Sequence, residues 1–170
     1  VYECPAYNKS LKQRPQDFDK ARSLLNEAGV SGLEFEFAVT TNYPWHVDAV
    51  QIMAEWFKEV GIKCNIKKYN WSDWLANCWV VGDMPNYEVT MMNFFGLTNP
   101  SVFNLLYHSQ GGFNYRNIQD SKMDELVDLA GITLDEDKRN AIIMDLQQHI
   151  HDEAIDVVLW RRNGINAAAK

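Results

Sequence analysis

Cysteine is scarce in this 170-residue chain, which holds only Cys4, Cys64 and Cys78. Three scattered thiols are too few for a zinc ribbon or a disulfide scaffold, and an odd number leaves at least one free. They read as buried, reduced side chains, with one bridged pair as the alternative. Basic residues are also in deficit, 16 Lys and Arg against 23 Asp and Glu, for a net charge of −7. That balance argues against nucleic acid or an anionic membrane surface as a partner, since both attract cationic excess. No apolar run approaches the length of a membrane span. A G-x-S-x-G elbow, a P-loop, a dinucleotide fingerprint and a cysteine with a motif partner are all missing. No pair of carboxylates stands in a loop suited to acid–base work, so neither catalysis nor a cofactor is expected. A secretory leader is not visible either. The chain begins at Val1, as a trimmed mature form or an excised domain would.

What is present is apolar and aromatic: 46% hydrophobic residues, with six Trp and eight Phe. Such a surplus suits a large core, a platform for peptide or carbohydrate, or both. Asp17 is placed to cap a helix whose stripe is Ala21, Leu24, Leu25 and Ala28, with Gly29 as the stop. "LEFEFAVT" (33–40) alternates, Leu33, Phe35, Phe37 and Val39 against Glu34 and Glu36, and predicts a half-buried strand. Pro44 opens a second helix with Ala49, Ile52, Met53, Trp56 and Val60 on one face and Gly61 as its stop. "IKCNIKKY" (62–69) predicts a second strand, residues 72–81 a short helix, and "YEVTMMNFF" (87–95) a central third strand. "SVFNLLY" gives one or two helical turns, then helices follow at about 121–131 and 135–153, and "IDVVLWR" closes the pattern as a last strand. One α/β domain over residues 1–170 is expected, with a linker-like start at 1–14 and a mixed sheet flanked by helices.

Two groups of candidates stand out. "HIHDE" (149–153) is the densest ionisable string, but His149 and His151 diverge on a helix. It reads as a solvated face, and no metal site is expected. His46 with Asp48 is weaker still, because i and i+2 diverge. "YNWSDW" (69–74) and "NFFGLTNPS" (93–101) fall at or just past strand ends. Ligands of open α/β sheets sit there, in the crevice beyond the carboxyl ends of the strands. Trp71, Trp74, Phe94 and Phe95 are the stacking candidates, and Asn93, Asn99 and Asn114 the hydrogen-bonding ones. The competing reading is that these aromatics are core, more so for Trp74 and Phe94.

In order, these segments resemble the family 5 extracellular solute-binding proteins, the dipeptide-, oligopeptide- and nickel-binding components of ABC importers. "DFDKARSLLNEAGV" is similar to their D-P-x-K-A-x-x-L-L-x-E-A-G-Y signature. "AVQIMAEWFKEVGIKCNIKKYNWSDW", "NYEVTMMNFFGLTNPSVF", "FNYRNIQDSKMDELVDLA" and "DEDKRNAIIMDLQQHIHDEAIDVVLW" follow the family's later segments, with Asp124 and Leu126 at family positions. Five matches in order cover nearly all of residues 15–162.

The resemblance implies one lobe of a type II periplasmic-binding-protein fold, most of the second of two lobes, with the other lobe of the same chain missing. It implies a periplasmic or extracellular protein, with a lipid anchor as one form of attachment. The implied partners are a small solute, an oligopeptide or alternatively an oligosaccharide, and an ABC permease in the membrane. Peptide-binding members carry an Asp a few residues before a D-P pair, where it holds the peptide's amino terminus. Aligning Asn99-Pro100 with that pair puts Gly96 at the Asp position, leaving Glu88 and Asp83 as acidic substitutes. The nickel-binding branch would need a cleft His, and His108 is the loop candidate. The family's Pro near the last strand is Asp156 here. The alternatives are a ligand-sensing domain of this fold in a regulator and, behind it, a metal-dependent enzyme.

Overall fold

In the computed structural model, residues 4–80, 86–94 and 102–160 are described. Four carboxylate or amide caps start helices where the sequence turns from polar to periodic. Asp17 accepts from the Lys20 N–H and opens α1 (Phe18–Glu27). Asn70, Asp120 and Asp135 cap α3 (Trp71–Cys78), α5 (Ser121–Ile132) and α6 (Glu136–Asp152) in the same way. The remaining elements are β1 (Glu34–Thr40), α2 (Pro44–Glu59), β2 (Lys63–Tyr69), β3 (Val89–Thr90) and α4 (Val102–Tyr107).

β1 is the centre of a three-stranded sheet of order β2-β1-β3. It runs parallel to β2 from Glu34↔Lys63 to Thr40↔Tyr69, and parallel to β3 at Phe37↔Val89 and Ala38↔Thr90. Alternation along β1 assigns its two faces. Phe37 and Val39 pack with Val50 of α2 and Met91, joined by Phe35, Met53, Phe57, Cys64 and Ile66. Ala38 packs on the other face with Trp74 and Cys78 of α3. Beyond that cover the face is polar, and Glu34–Lys63 and Glu36–Lys67 bridge neighbouring strands at 2.7 and 3.2 Å.

The second half is helical. α5 and α6, joined by a three-residue turn, bury Met123, Leu126, Val127, Leu146 and Ile150 between them, with Phe103 and Tyr107 of α4 alongside. The loop 108–118 binds this hairpin to the sheet. Asn114, 2% exposed, donates from its amide to the Ser109 and Ile118 carbonyls and accepts from the Ile118 N–H. A Cβ on Gly111 would stand 2.5 Å from the Asn104 and Leu105 carbonyl oxygens, so the tight passage of this loop over α4 requires glycine. Trp79 then stacks on Tyr115 with ring centroids 4.6 Å apart, and the Tyr87 hydroxyl donates to the Tyr115 carbonyl at 3.2 Å.

Four expectations are revised. The sheet is parallel throughout the described residues, where a mixed sheet was expected. Residues 155–160 form no strand, because no described strand pairs with them, and Val157 and Val158 are exposed. The third strand is two residues long; residues 91–94 continue from it without ladder pairing. Finally, the amino-terminal segment is docked rather than linker-like over residues 4–14. Ala6 and Asn8 are buried, Asn8 donates to the Met144 carbonyl, and Gln147 donates to the Ala6 carbonyl. The helix expected at 72–81 occupies Trp71–Cys78, and residues 81–85 lie outside the described residues. No disulfide joins Cys4, Cys64 and Cys78, and burial pushes the Cys78 thiol up to about 11.

Candidate ligand-binding site

Because the strands are parallel, their carboxyl ends share one edge, and the chain leaves each of them into a polar or aromatic turn. β1 gives way to Thr41-Asn42-Tyr43, β2 to Asn70 and Trp71, and β3 to Met91 through Phe94. The Thr41 N–H and hydroxyl both reach the Tyr69 carbonyl, at 2.8 and 3.1 Å, which holds the first two turns together. Pro44 starts α2 immediately beyond, so the N-terminus of that 16-residue helix lies at the same edge.

Aromatic rings line this edge in a continuous set. Trp71 is half-buried and stacks on Trp74, centroids 5.6 Å apart and planes 12° from parallel. Trp74 is fully buried, and its indole N–H donates to the Thr90 hydroxyl at 3.1 Å, which itself donates to the Ala38 carbonyl at 2.8 Å. Trp74 is thus the floor and Trp71 the ring above it. Tyr43 meets Trp71 edge-on at 6.0 Å and lies 5.3 Å from Trp45 and 4.9 Å from His46. Phe94 is half-buried and sits 6.3 Å from Phe113, at the seam where Trp79 joins the two halves.

His46 is buried under this wall, 1% exposed, with the Tyr43 ring 4.9 Å away. Burial pushes its pKa below the ordinary histidine value, and the nearby Asn93 side chain offsets only part of that. Asn93 itself is half-buried, at the exit of the third strand.

The sequence candidates therefore separate. Trp71, Asn93 and Phe94 stand at the strand ends and keep exposed surface, while Trp74 is enclosed beneath Trp71. Asn114 is enclosed elsewhere, with its amide spent on the loop 108–118. Phe95, Asn99, Gly96 and Asp83 lie outside the described residues. Glu88 is described, and its carboxylate accepts from the Glu36 N–H at 2.9 Å. His108 faces α5, 3.4 Å from Asp128, and not this edge. Tyr43 and Trp45 were missed and His46 was set aside with Asp48, although the rule that singled out the exit of β2 applies equally to the exit of β1.

A shallow groove of about 290 Å³ lies at the opposite edge, between α1 and the turns at 30–33 and 60–62, lined by Arg22, Leu25, Val30, Leu33 and Ile62. It collects amino-terminal strand ends and carries no aromatic ring, so the carboxyl edge is the better candidate. Among the described residues no group of three or more His, Cys, Asp or Glu is placed to hold a metal ion. No helix of the described residues is long and apolar enough to cross a membrane.

The fold and several sequences have known counterparts. The family of bacterial extracellular solute-binding proteins, family 5 Middle, matches residues 2–114. The di/tripeptide-binding protein 3 of Pseudomonas aeruginosa is 27% identical over 162 residues, 89% of this chain and 29% of that protein. The dipeptide-binding protein of Escherichia coli K12 is 26% identical over 164 residues, covering 90% and 30%. Among solved structures, the periplasmic binding protein DppA of Helicobacter pylori, in complex with peptide STSA, superimposes with a TM-score of 0.78 at 22% identity, over 88% of this chain and 30% of that one. The substrate-binding protein CtaP of Listeria monocytogenes gives 0.80 at 20%, over 88% and 31%. Likeness at such identity speaks for the fold, that of a periplasmic-binding-protein lobe. The chain spans about 30% of the length of the curated relatives it matches. With the family match running through the sheet, both of its edges and the loop to Asn114, this chain belongs to the family 5 bacterial extracellular solute-binding proteins.

Proposed function

We propose that this chain is one lobe of the substrate-binding component of an ABC-type importer, which captures a peptide outside the membrane and delivers it to the permease. The observation that carries this reading is the carboxyl edge of the sheet. There the half-exposed Trp71, Asn93 and Phe94 stand at the strand exits of a parallel sheet whose fold and sequence belong to solute-binding proteins. Such an edge offers apolar rings for side chains and an amide for a ligand's backbone.

A second lobe of the same protein would close over this edge, so that hinge closure traps the ligand. Short peptides fit best, since the curated relatives are named for di- and tripeptides. A free peptide amino terminus lacks the family's Asp at Gly96, and Glu88 is held by the Glu36 N–H away from this edge, so the ammonium would rely on Asp83 or on the other lobe. An oligosaccharide is the other solute that stacked aromatics accept. The location would be periplasmic or extracellular, with a lipid anchor holding the protein near its permease. Calorimetry on the complete protein with di-, tri- and tetrapeptides and an oligosaccharide panel tests this. Saturable peptide binding supports it, whereas hydrolytic turnover without binding would sink it.

A further inference from the structure

Trp79 follows the last turn of α3 and is half-buried at the seam between the sheet and the helical half. Its indole stacks on Tyr115, centroids 4.6 Å apart and planes 20° from parallel. It meets Phe113 edge-on at 5.6 Å and lies against Trp74 at 6.0 Å, with planes 56° apart. Trp74 is the floor on which Trp71 stacks, and Phe113 is the ring 6.3 Å from Phe94. Ring contacts thus lead from Trp79 to both candidate ligand-facing aromatics, through one intervening ring in each direction.

The two arms start from different supports. Trp74 is tied to the sheet, since its indole N–H donates to Thr90 and Thr90 donates to the Ala38 carbonyl. Phe94 has no such tie through the backbone, because residues 91–94 run on from β3 without ladder pairing. Packing against Phe113 is what the structure offers it, and Phe113 sits on the loop 108–118 that Asn114 holds in shape. Aromatic pairs favour stacked and edge-on arrangements, so these contacts set ring orientation as well as position. A ring ordered in advance binds a ligand without the cost of immobilising it at that moment.

We infer that Trp79 is a positioning residue for the ligand edge: it holds Trp74 beneath Trp71 and Phe113 behind Phe94, so that both ligand-facing rings are set before the ligand arrives. This rests on the reading of the carboxyl edge as the ligand site. It goes further in naming a residue behind that surface, and in making the loop 108–118 part of the site's support.

Two measurements on the complete protein test it. In calorimetry with trialanine, Trp79→Ala should weaken binding about tenfold through lost preorganisation. Trp79→Phe, which keeps a ring on Tyr115, should stay within about threefold of the wild type. In a Trp71→Ala background the further loss from Trp79→Ala should shrink to about threefold, the share that runs through Phe94. Full affinity in Trp79→Ala, or an undiminished tenfold loss in the Trp71→Ala background, would overturn the positioning role. Should Trp79→Ala fail to fold, Phe113→Leu takes its place, with about a threefold loss expected and full affinity overturning the inference. The second measurement needs no ligand. In protein labelled with 5-fluorotryptophan, the Trp71 fluorine resonance, assigned by its loss in Trp71→Phe, should shift in Trp79→Phe. An unmoved Trp71 resonance would overturn the inference. Absence of trialanine binding by the wild type would count against the proposed function, with the fluorine spectrum still deciding the role of Trp79.

Discussion

The sheet half and the helical half of this molecule are stabilised in different ways. In the sheet half, β1 is enclosed from both sides, and its apolar face, its Ala38 and its Thr40 are all under 3% exposed from Phe37 onward. In the helical half, α5 and α6 bury one stripe each and leave the rest to solvent, with Ile132 and Leu134 exposed at the turn between them. The first arrangement brings three chain exits to one edge and can build a site. The second is a brace, assembled from neighbours in sequence and joined to the sheet by the Trp79–Tyr115 stack and the Tyr87 hydroxyl.

If the helical half is only a brace, damage there should change stability and spare the ligand edge. Leu146→Ala, which empties a fully buried position between α5 and α6, should cost about 3 kcal/mol in urea unfolding of the complete protein. The affinity of the folded protein for trialanine should not change.

A smaller effect is expected at the join between the hairpin and residues 155–160. There Arg116 pairs with Asp156, lies over the Tyr107 ring at 4.6 Å and donates to the Leu106 carbonyl at 2.7 Å. The Tyr107 hydroxyl donates to the same carboxylate at 2.6 Å. Arg116→Ala leaves the Asp156 charge half-buried without its cation and should cost about 2 kcal/mol by the same measurement.

Asp120→Ala removes the cap of α5, whose carboxylate accepts from the Lys122 and Met123 N–H groups and meets His149 at 2.8 Å. About 1 kcal/mol is expected. Burial pushes the Asp120 carboxyl up, but the Met123 and Lys122 amides and His149 outweigh it and hold the pKa below the ordinary value. Its contribution is therefore present above the unfolded carboxyl pKa and is lost as pH falls through the folded one. The variant should show a flatter fall in melting temperature below about pH 4.

The smallest effect belongs to the sheet half. His46 has its pKa depressed by burial, so the unfolded chain binds the proton more readily. Stability is then full above the ordinary histidine range and declines as pH drops below about 6.5. His46→Gln should remove that slope in melting scans from pH 7.5 to 5.5, by a fraction of a kcal/mol at each pH step. An unchanged slope would mean that other groups carry it.

The elements governed by local chemistry were readable in advance. The Asp17 cap, Gly29 with φ +66°, Pro44 at the start of α2 and Gly61 with φ +80° all act as their residue types dictate. The β1 alternation likewise assigns Phe37 and Val39 to one face. What failed depended on partners that lie far along the chain. "IDVVLWR" has the composition of a strand, yet a strand exists only beside another, and among the described residues 155–160 have none. The stripe of α1 suggested a packed helix, but the element has no buried residue and leaves Leu24 52% exposed. At the site, the sequence named Trp71, Asn93 and Phe94 from their place after strands. It could not tell that Trp74 would lie beneath Trp71, nor that His46, at the exit of a different strand, would lie near Asn93. Both facts come from the parallel register that sets β1 between β2 and β3.

The proposed function requires the ligand to sit at the carboxyl edge of the sheet. The most direct measurement is calorimetry of trialanine on three forms of the complete protein: wild type, Trp71→Ala at the carboxyl edge, and Leu25→Ala in the groove at the amino edge. Loss of the half-buried Trp71 ring should weaken binding about tenfold or more, with Leu25→Ala indistinguishable from wild type. Unimpaired binding by Trp71→Ala, together with a loss in Leu25→Ala, would contradict the placement of the site.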